Sequence, residues 1–548
     1  MIGKTDFGRG RPHRVAALVL LVLVASVYGA ALGHEFVFDD GLLVTENAVS
    51  SWPLSRAPEL LWQSSEGITY RPVRMFSYML DHAVGGGPIA WVFHLSNLLW
   101  HLAVVLVVYG FATALLGGPA AGLVAAAFFA VHPLGSEAVV YVAGRRDLLL
   151  GFFSTASLWA WWSFLGAAER SVRYRAALCG LSLLLAVLAL GSKEIAVVLP
   201  ALAALLWILR VRSVGRGWVG GVGPRLAGAA LLLALVATLL YGNEFLLGLQ
   251  SFAQGSTLAP QPALTLVVLG HYLRLALWPA SLQADYRPFA FPLPEAGLDT
   301  AALVAGLFLL AWLVGGAALL RRGRVAGLGL LWAFVALLPV AQLLPYGELI
   351  AEHNAYLPLV GLGLVVGDAF ASLRRLRPLW ALVLAVVLIG GFGLRSWVRV
   401  PVWHDDIALW SATLETAPRA IRARHNLAVA LALRGKLLES REAFRRALDL
   451  APGDPDVLKG LGAMEERLGD HLRAEELARR ALAIHHDSEA MILLGWSQLG
   501  QGKLHAARES FARILQADPT AVEGRRGMNL VEMRLQRLRR KRPTEVRP

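Results

Sequence analysis

Cysteine is almost absent from this 548-residue chain. Cys179 stands alone, so neither an intramolecular disulfide nor a cysteine-based metal cluster can form. Charge is scarce too: 17% of residues are charged against 56% hydrophobic, with a mean hydropathy of +0.55. Soluble domains seldom show this balance, whereas multispanning membrane proteins do. Also missing are an HExxH helix, a Gly-x4-Gly-Lys-Ser/Thr phosphate loop and a Gly-x-Ser-x-Gly elbow. That removes the usual signatures of zinc proteases, P-loop NTPases and serine hydrolases. "VGGVGP" reads as a turn and not as a nucleotide fingerprint.

What is present divides sharply. Up to about Val398 the chain is a series of apolar runs with short polar breaks; from about Pro401 it is rich in Arg, Glu, Ala and Leu at helical spacing. Residues 1–400 therefore read as a membrane domain and 401–540 as a soluble helical one. A spanning helix needs roughly 20 apolar residues. Candidates lie near 15–32, 89–116, 119–133, 146–167, 176–190, 195–210, 226–243, 299–320, 325–345, 355–371 and 378–396. The first resembles a signal sequence and, with so many spans behind it, reads as an uncleaved helix.

The net charge of +13 sits largely in short arginine clusters between these runs, at Arg9/Arg11/Arg14, Arg170/Arg173/Arg175, Arg210/Arg212/Arg216, Arg321/Arg322/Arg324 and Arg374/Arg375/Arg377. Topology control explains that distribution better than nucleic acid, which is not an expected partner. With the N-terminus in the cytoplasm, all five clusters face the cytoplasm provided the stretch near 263–279 is interfacial or re-entrant. About 11 spans result. The odd number places the C-terminal domain, and the polar loops such as "FDDG" and "GELIAEHNAYLP", on the opposite side.

The soluble part repeats. "HNLAVALALRGKLLESREAFRRALDLAPGDP" aligns with two later segments, placing Gly435, Gly469 and Gly502 at turns between helices. Phe444, Ala478 and Phe511 share one position; Ala447, Ala481 and Ile514 share another. A period of 33–34 with this pattern resembles tetratricopeptide repeats. Such helix pairs cover one another's apolar faces and stack into a curved rod with a concave surface.

Chemistry concentrates near the outer loop ends. Asp39 and Asp40 follow the first span closely, between Phe38 and Gly41. Near a low-dielectric surface, two adjacent carboxylates do not ionise independently, and one can serve as a general base. Arg71 and Arg74, Arg145 and Arg146, and Lys193 lie on the same face, where basic residues oppose the positive-inside tendency; they either snorkel to headgroups or bind a lipid-linked phosphate. His94, Asn97 and His101 share a helix face, but positions seven apart lie about 10 Å apart, too far to share one metal ion. They read as interhelical hydrogen-bonders.

"FVFDDGLLVTEN", "YRPV", "HLSNLLWH", "FAVHPLGSEAVVYVAGRRDLL", "SKE" and "EHNAYLPLVGL", followed by the repeats, resemble the transmembrane and tetratricopeptide repeat-containing O-mannosyltransferases and their bacterial relatives. The resemblance implies an all-α polytopic bundle of the GT-C glycosyltransferase type followed by a tetratricopeptide α-solenoid. It implies transfer of a sugar, mannose in the best-known branch, from a polyprenyl-phosphate donor to a Ser or Thr hydroxyl of a polypeptide on the non-cytoplasmic side. Asp39 and Asp40 match the family's catalytic acidic motif, with Asp40 slightly favoured as base. Arg71, Arg145, Arg146 and Lys193 match phosphate-binding positions. His132, Glu137, Tyr286, Glu352 and Tyr356 would line the outer cavity, while Asn354 stands where the family often has a basic residue. The phosphate is the leaving group, so neither a metal nor another cofactor is expected. The expected location is a bacterial inner membrane with the repeats outside. The competing reading is a non-catalytic, membrane-anchored repeat scaffold for envelope assembly.

Overall fold

The computed structural model describes residues 10–61, 71–214, 262–286, 299–343 and 348–541. Among them all regular structure is helical. They form two compact units, which divide after Ala408.

The first unit begins with α1 (Arg11–Tyr28), α2 (Pro72–Gly85), α3 (Ala90–Leu116) and α4 (Pro119–Val131). A short α5 (Ser136–Val140), α6 (Arg145–Leu165), α7 (Val172–Leu190) and α8 (Leu199–Val214) follow. Then come α9 (Pro262–Leu277), α10 (Thr300–Arg321), α11 (Val325–Leu337), α12 (Tyr356–Leu376) and α13 (Pro378–Arg399). Among the described residues, eight helices are long and apolar enough to cross a membrane, and a ninth span counts if the bent pair Pro119–Val131 and Pro133–Val140 is one. The expected span at 226–243 lies outside the described residues. The stretch at 262–277 is 16 residues long, short of the roughly 20 a crossing needs.

Glycine lets these helices approach closely, as bilayer packing requires where no hydrophobic effect drives association. A side chain at Gly329 on α11 would run into the backbone of Gly361 on α12, and one at Gly363 would come within 2.8 Å of the Ala125 carbonyl on α4. At the arginine-rich end, Arg324 holds Asp368 at 2.9 Å and fastens α11 to α12.

The second unit is a stack of helix pairs: α15 (Ile421–Leu433) with α16 (Leu437–Leu450), α17 (Pro455–Arg467) with α18 (His471–Ile484), and α19 (Ser488–Gly500) with α20 (Leu504–Ala517). A last helix, α21 (Val522–Lys541), covers the end. The linking helix α14 (Asp406–Thr416) precedes them. Gly435, Gly469 and Gly502 adopt φ of +78°, +89° and +75°, the left-handed turn glycine adopts without steric strain. Asp454 and Asp487 cap the first helices of successive pairs, and Asp470 the second helix of one. Phe444, Ala478 and Phe511 are buried at the shared position.

Candidate functional site

The expected outer loops fold inward and build a polar layer at one end of the membrane unit. His132 makes the first bend. Its Nδ1 accepts from Leu134 N at 3.2 Å and its Nε2 donates to the Ala276 carbonyl at 2.9 Å, at the 56° break after α4. The chain from Pro133 to Arg145 is buried throughout.

The acidic pair sits on a constrained loop. Phe38 has φ of +56°, a region that disfavours bulky residues. Three contacts hold it there. Its N–H donates to Asp406 Oδ1 at 2.9 Å, its ring stacks on Tyr141 at 5.9 Å, and Tyr141 stacks in turn on Trp403 at 5.3 Å. The left-handed residue turns the next two carboxylates to different surroundings. Asp40 is fully buried, and its two oxygens accept from Ala143 N at 2.8 Å and Val37 N at 3.2 Å. Burial pushes its carboxyl up to about 8, against the pull of those N–H groups. Asp39 is half-buried. Its N–H donates to the Tyr141 hydroxyl at 3.2 Å, and among the described residues its carboxylate makes no hydrogen bond or ion pair.

The cations divide in the same way. Arg145 is fully buried and donates to Asn97, to Ser77 Oγ at 3.3 Å, to Asp81 Oδ2 at 2.7 Å and to the Phe93 carbonyl at 2.9 Å. Lys193, fully buried, donates to Asp147 at 2.7 Å and Asn354 at 2.6 Å; burial lowers its pKa, with Asp147 opposing. Arg71 forks onto Glu194, its Nη2 reaching both oxygens at 2.9 Å. Arg146 Nη2 lies 2.8 Å from His353 Nε2 and 3.6 Å from Glu348. Burial raises Glu348, but His353, Arg146 and Lys193 outweigh it and hold that carboxyl well below the usual range.

Arg74 differs from all of these. It is 1% exposed. Its Nη2 meets only the Met75 sulfur at 4.0 Å, and its Nε has no partner. Tyr78 lies beneath at 6.0 Å. Burial first, then Arg71 and Arg146, pull its pKa down to about 10. Tyr78 is within electrostatic reach of Arg74, Arg146 and Asp40. The spacing of "YRPVR" put Arg71 and Arg74 on one side of a helix. Which of them is ion-paired depends on Glu194, far away in sequence.

The remaining expected residues are bracing groups. Glu137 accepts from His353 N at 3.1 Å and pairs with His353 Nδ1 at 2.8 Å. Glu352 accepts from Gln283 N, the Tyr286 hydroxyl and Arg399 at 2.6–2.8 Å. The Tyr356 hydroxyl meets His101 Nδ1 at 2.7 Å, and Asn97 donates to the Val139 and Tyr141 carbonyls. His132, Glu137, Tyr286, Glu352 and Tyr356 are all buried, each hydrogen-bonded to a segment distant in sequence. Among the described residues no group of three His, Cys, Asp or Glu side chains could hold a metal ion.

Residues 421–454 match the family model for the tetratricopeptide repeat. The chain is a relative of proteins named protein O-mannosyl-transferase. It is 25% identical to TMTC4 of Mus musculus over 498 residues, covering 78% of this chain and 66% of that protein. It is 24% identical to F38B6.6 of Caenorhabditis elegans over 469 residues, covering 81% and 64%. The chain thus spans slightly less than two thirds of these relatives' length. Among solved structures, ArnT from Cupriavidus metallidurans bound to undecaprenyl phosphate aligns with 92% of this chain and 80% of its own. Its identity is 16% and its TM-score 0.36, too loose a fit to bear on the fold.

Proposed function

We propose that this chain is an integral-membrane glycosyltransferase of the GT-C type. In this reading it moves a sugar, mannose as first choice, from a polyprenyl-phosphate donor to a Ser or Thr hydroxyl of a polypeptide on the non-cytoplasmic face. The repeat domain presents the acceptor. Two observations carry the reading: a carboxylate on the first loop, Asp39, that is unengaged among the described residues, and a buried guanidinium without an ion-pair partner, Arg74, whose neighbour Tyr78 is within electrostatic reach of Asp40. An isolated buried cation is strained in low dielectric and gains most when an anion arrives. A phosphate on a lipid carrier supplies that anion at the right depth. The names and sequence similarity of the relatives support the same class of reaction.

The step is a direct displacement. Asp39 accepts the acceptor hydroxyl's proton while the oxygen attacks the anomeric carbon. The bond from that carbon to the phosphate oxygen breaks, and polyprenyl phosphate leaves with the electron pair. Arg74, helped by Arg146, takes the negative charge growing on the leaving oxygen. A positioned base is worth ~10²–10⁴-fold, and a preorganised donor at a developing charge ~10²–10³-fold. Asp40, buried and tied to two backbone N–H groups, fits the role of holding the loop better than that of base. Lys193, Arg71 and Arg145, closed by their own partners, keep the surrounding loops in register.

The test is a donor panel. Purified full-length protein receives labelled polyprenyl-phosphate mannose, polyprenyl-phosphate glucose or GDP-mannose, each with a Ser/Thr peptide pool. Transfer from a lipid-linked donor alone is expected. Transfer from the nucleotide sugar, or none from either lipid donor, contradicts the reading.

A further inference from the structure

The repeat stack carries a cavity of about 540 Å³ formed by α15, α16, α17, α19 and the start of α21. Its floor is apolar and aromatic, with Phe444, Ile492 and Trp496. The Phe444 ring lies directly against Gly460, where any side chain would collide with it, so the floor stays flat at that point. Charge on the walls is one-sided. Lys459 is surrounded by three carboxylates, Asp456 at 3.0 Å, Asp487 at 2.8 Å and Glu489 at 2.9 Å, so one ammonium faces three negative groups. Glu466 and Glu523 add to the lining, against Arg467 and against Arg526, which lies 3.4 Å from Glu523. This surplus runs against the composition of a chain with net charge +13. The Trp496 ring already accepts a guanidinium, that of Arg526, at 5.7 Å, a geometry that favours cations over aromatic faces.

We infer that this groove takes an extended polypeptide segment bearing lysine or arginine beside an apolar residue, and that it disfavours acidic segments. The apolar side chain lies on the Phe444–Trp496 floor, and the basic one completes the carboxylate cluster around Lys459. The inference rests on the reading that the repeat domain presents the acceptor, and it narrows that acceptor to a basic, apolar sequence context around the modified hydroxyl.

The test uses full-length protein in nanodiscs and one fluorescent peptide of Leu, Phe and Ser made in Lys-bearing and Glu-for-Lys versions. The Lys version is expected to bind about tenfold more tightly at low salt, and the gap should shrink as salt rises. The double variant Glu489→Lys/Glu523→Lys should bring the two peptides within about twofold, and Glu489→Gln should move part of the way. The thermal transition of each variant serves as the folding control. Equal binding of both peptides to the unaltered protein, or a preference that survives charge reversal, overturns the inference. Sugar transfer is measured in parallel. A chain that binds the Lys peptide but transfers no sugar defeats the proposed function and leaves the groove standing; transfer without peptide preference does the reverse.

Discussion

Asp39 and Asp40 are identical in chemistry and adjacent in sequence, yet they occupy opposite situations. Asp40 is enclosed and satisfied by backbone N–H groups, whereas Asp39 is half-buried and unengaged. A measurable pH effect follows from Asp40. Its folded pKa of about 8 lies above the ordinary 3.8, so the folded state binds more protons than the unfolded one between those values. The stability Asp40 contributes is fully present below about 4 and is lost as pH rises through about 8. Thermal melting of the wild type against Asp40→Asn from pH 5 to 9 should show the wild type losing stability relative to the variant as pH rises; a constant difference contradicts this. At Arg74, replacement by Gln should lower kcat for sugar transfer by ~10²-fold and raise the donor KM, with melting unchanged or improved because an unpaired buried charge is removed. Kinetics at saturating acceptor check it. The motif itself was legible in the sequence at this scale. The division of labour inside it was not, because Ala143, Tyr141 and Glu194 reach the site only through tertiary folding.

At the scale of elements, the repeat domain was the most legible part. Glycine, small and aromatic positions recur with a fixed period, and each period is one helix pair that cannot bury its face alone. The closest approaches set its tolerance. A side chain at Gly527 on α21 would meet the Phe511 ring, which is fully buried. Gly527→Ala should destabilise the repeat domain by about 1–3 kcal/mol through overpacking, read from chemical denaturation. In the membrane unit, Lys193 joins the segment after α7 to Asp147 on α6 as a fully enclosed ion pair. Lys193→Met should lower stability by about 3–5 kcal/mol because it removes the hydrogen-bonded cation of a buried carboxylate and leaves only Arg146, at 3.5 Å, to face it, and the detergent-solubilised melting temperature should show it. The inward folding of Pro133–Arg145 was not legible. The segment read as part of an outer loop, but hydrogen bonds from Asn97 and His353 satisfy the Val139 and Tyr141 carbonyls and the Glu137 carboxylate inside the protein.

For the whole molecule, hydropathy predicted a membrane bundle and the repeat pattern a helical stack, and the apolar helices long enough to span and the stacked helix pairs bear out that fold class. Sidedness gives a direct prediction in a Cys179→Ser background. An impermeant maleimide should label Leu42→Cys in intact cells, and Leu376→Cys only after permeabilisation; both positions are exposed. The reverse pattern would invert the topology. The central claim is that a carboxylate on the first outer loop deprotonates the acceptor while a buried cation receives the phosphate. Single-turnover transfer from polyprenyl-phosphate mannose by Asp39→Asn probes it most directly. The expected result is a fall of ~10²–10⁴-fold with unchanged donor binding and melting temperature. A wild-type rate in that variant would contradict the account.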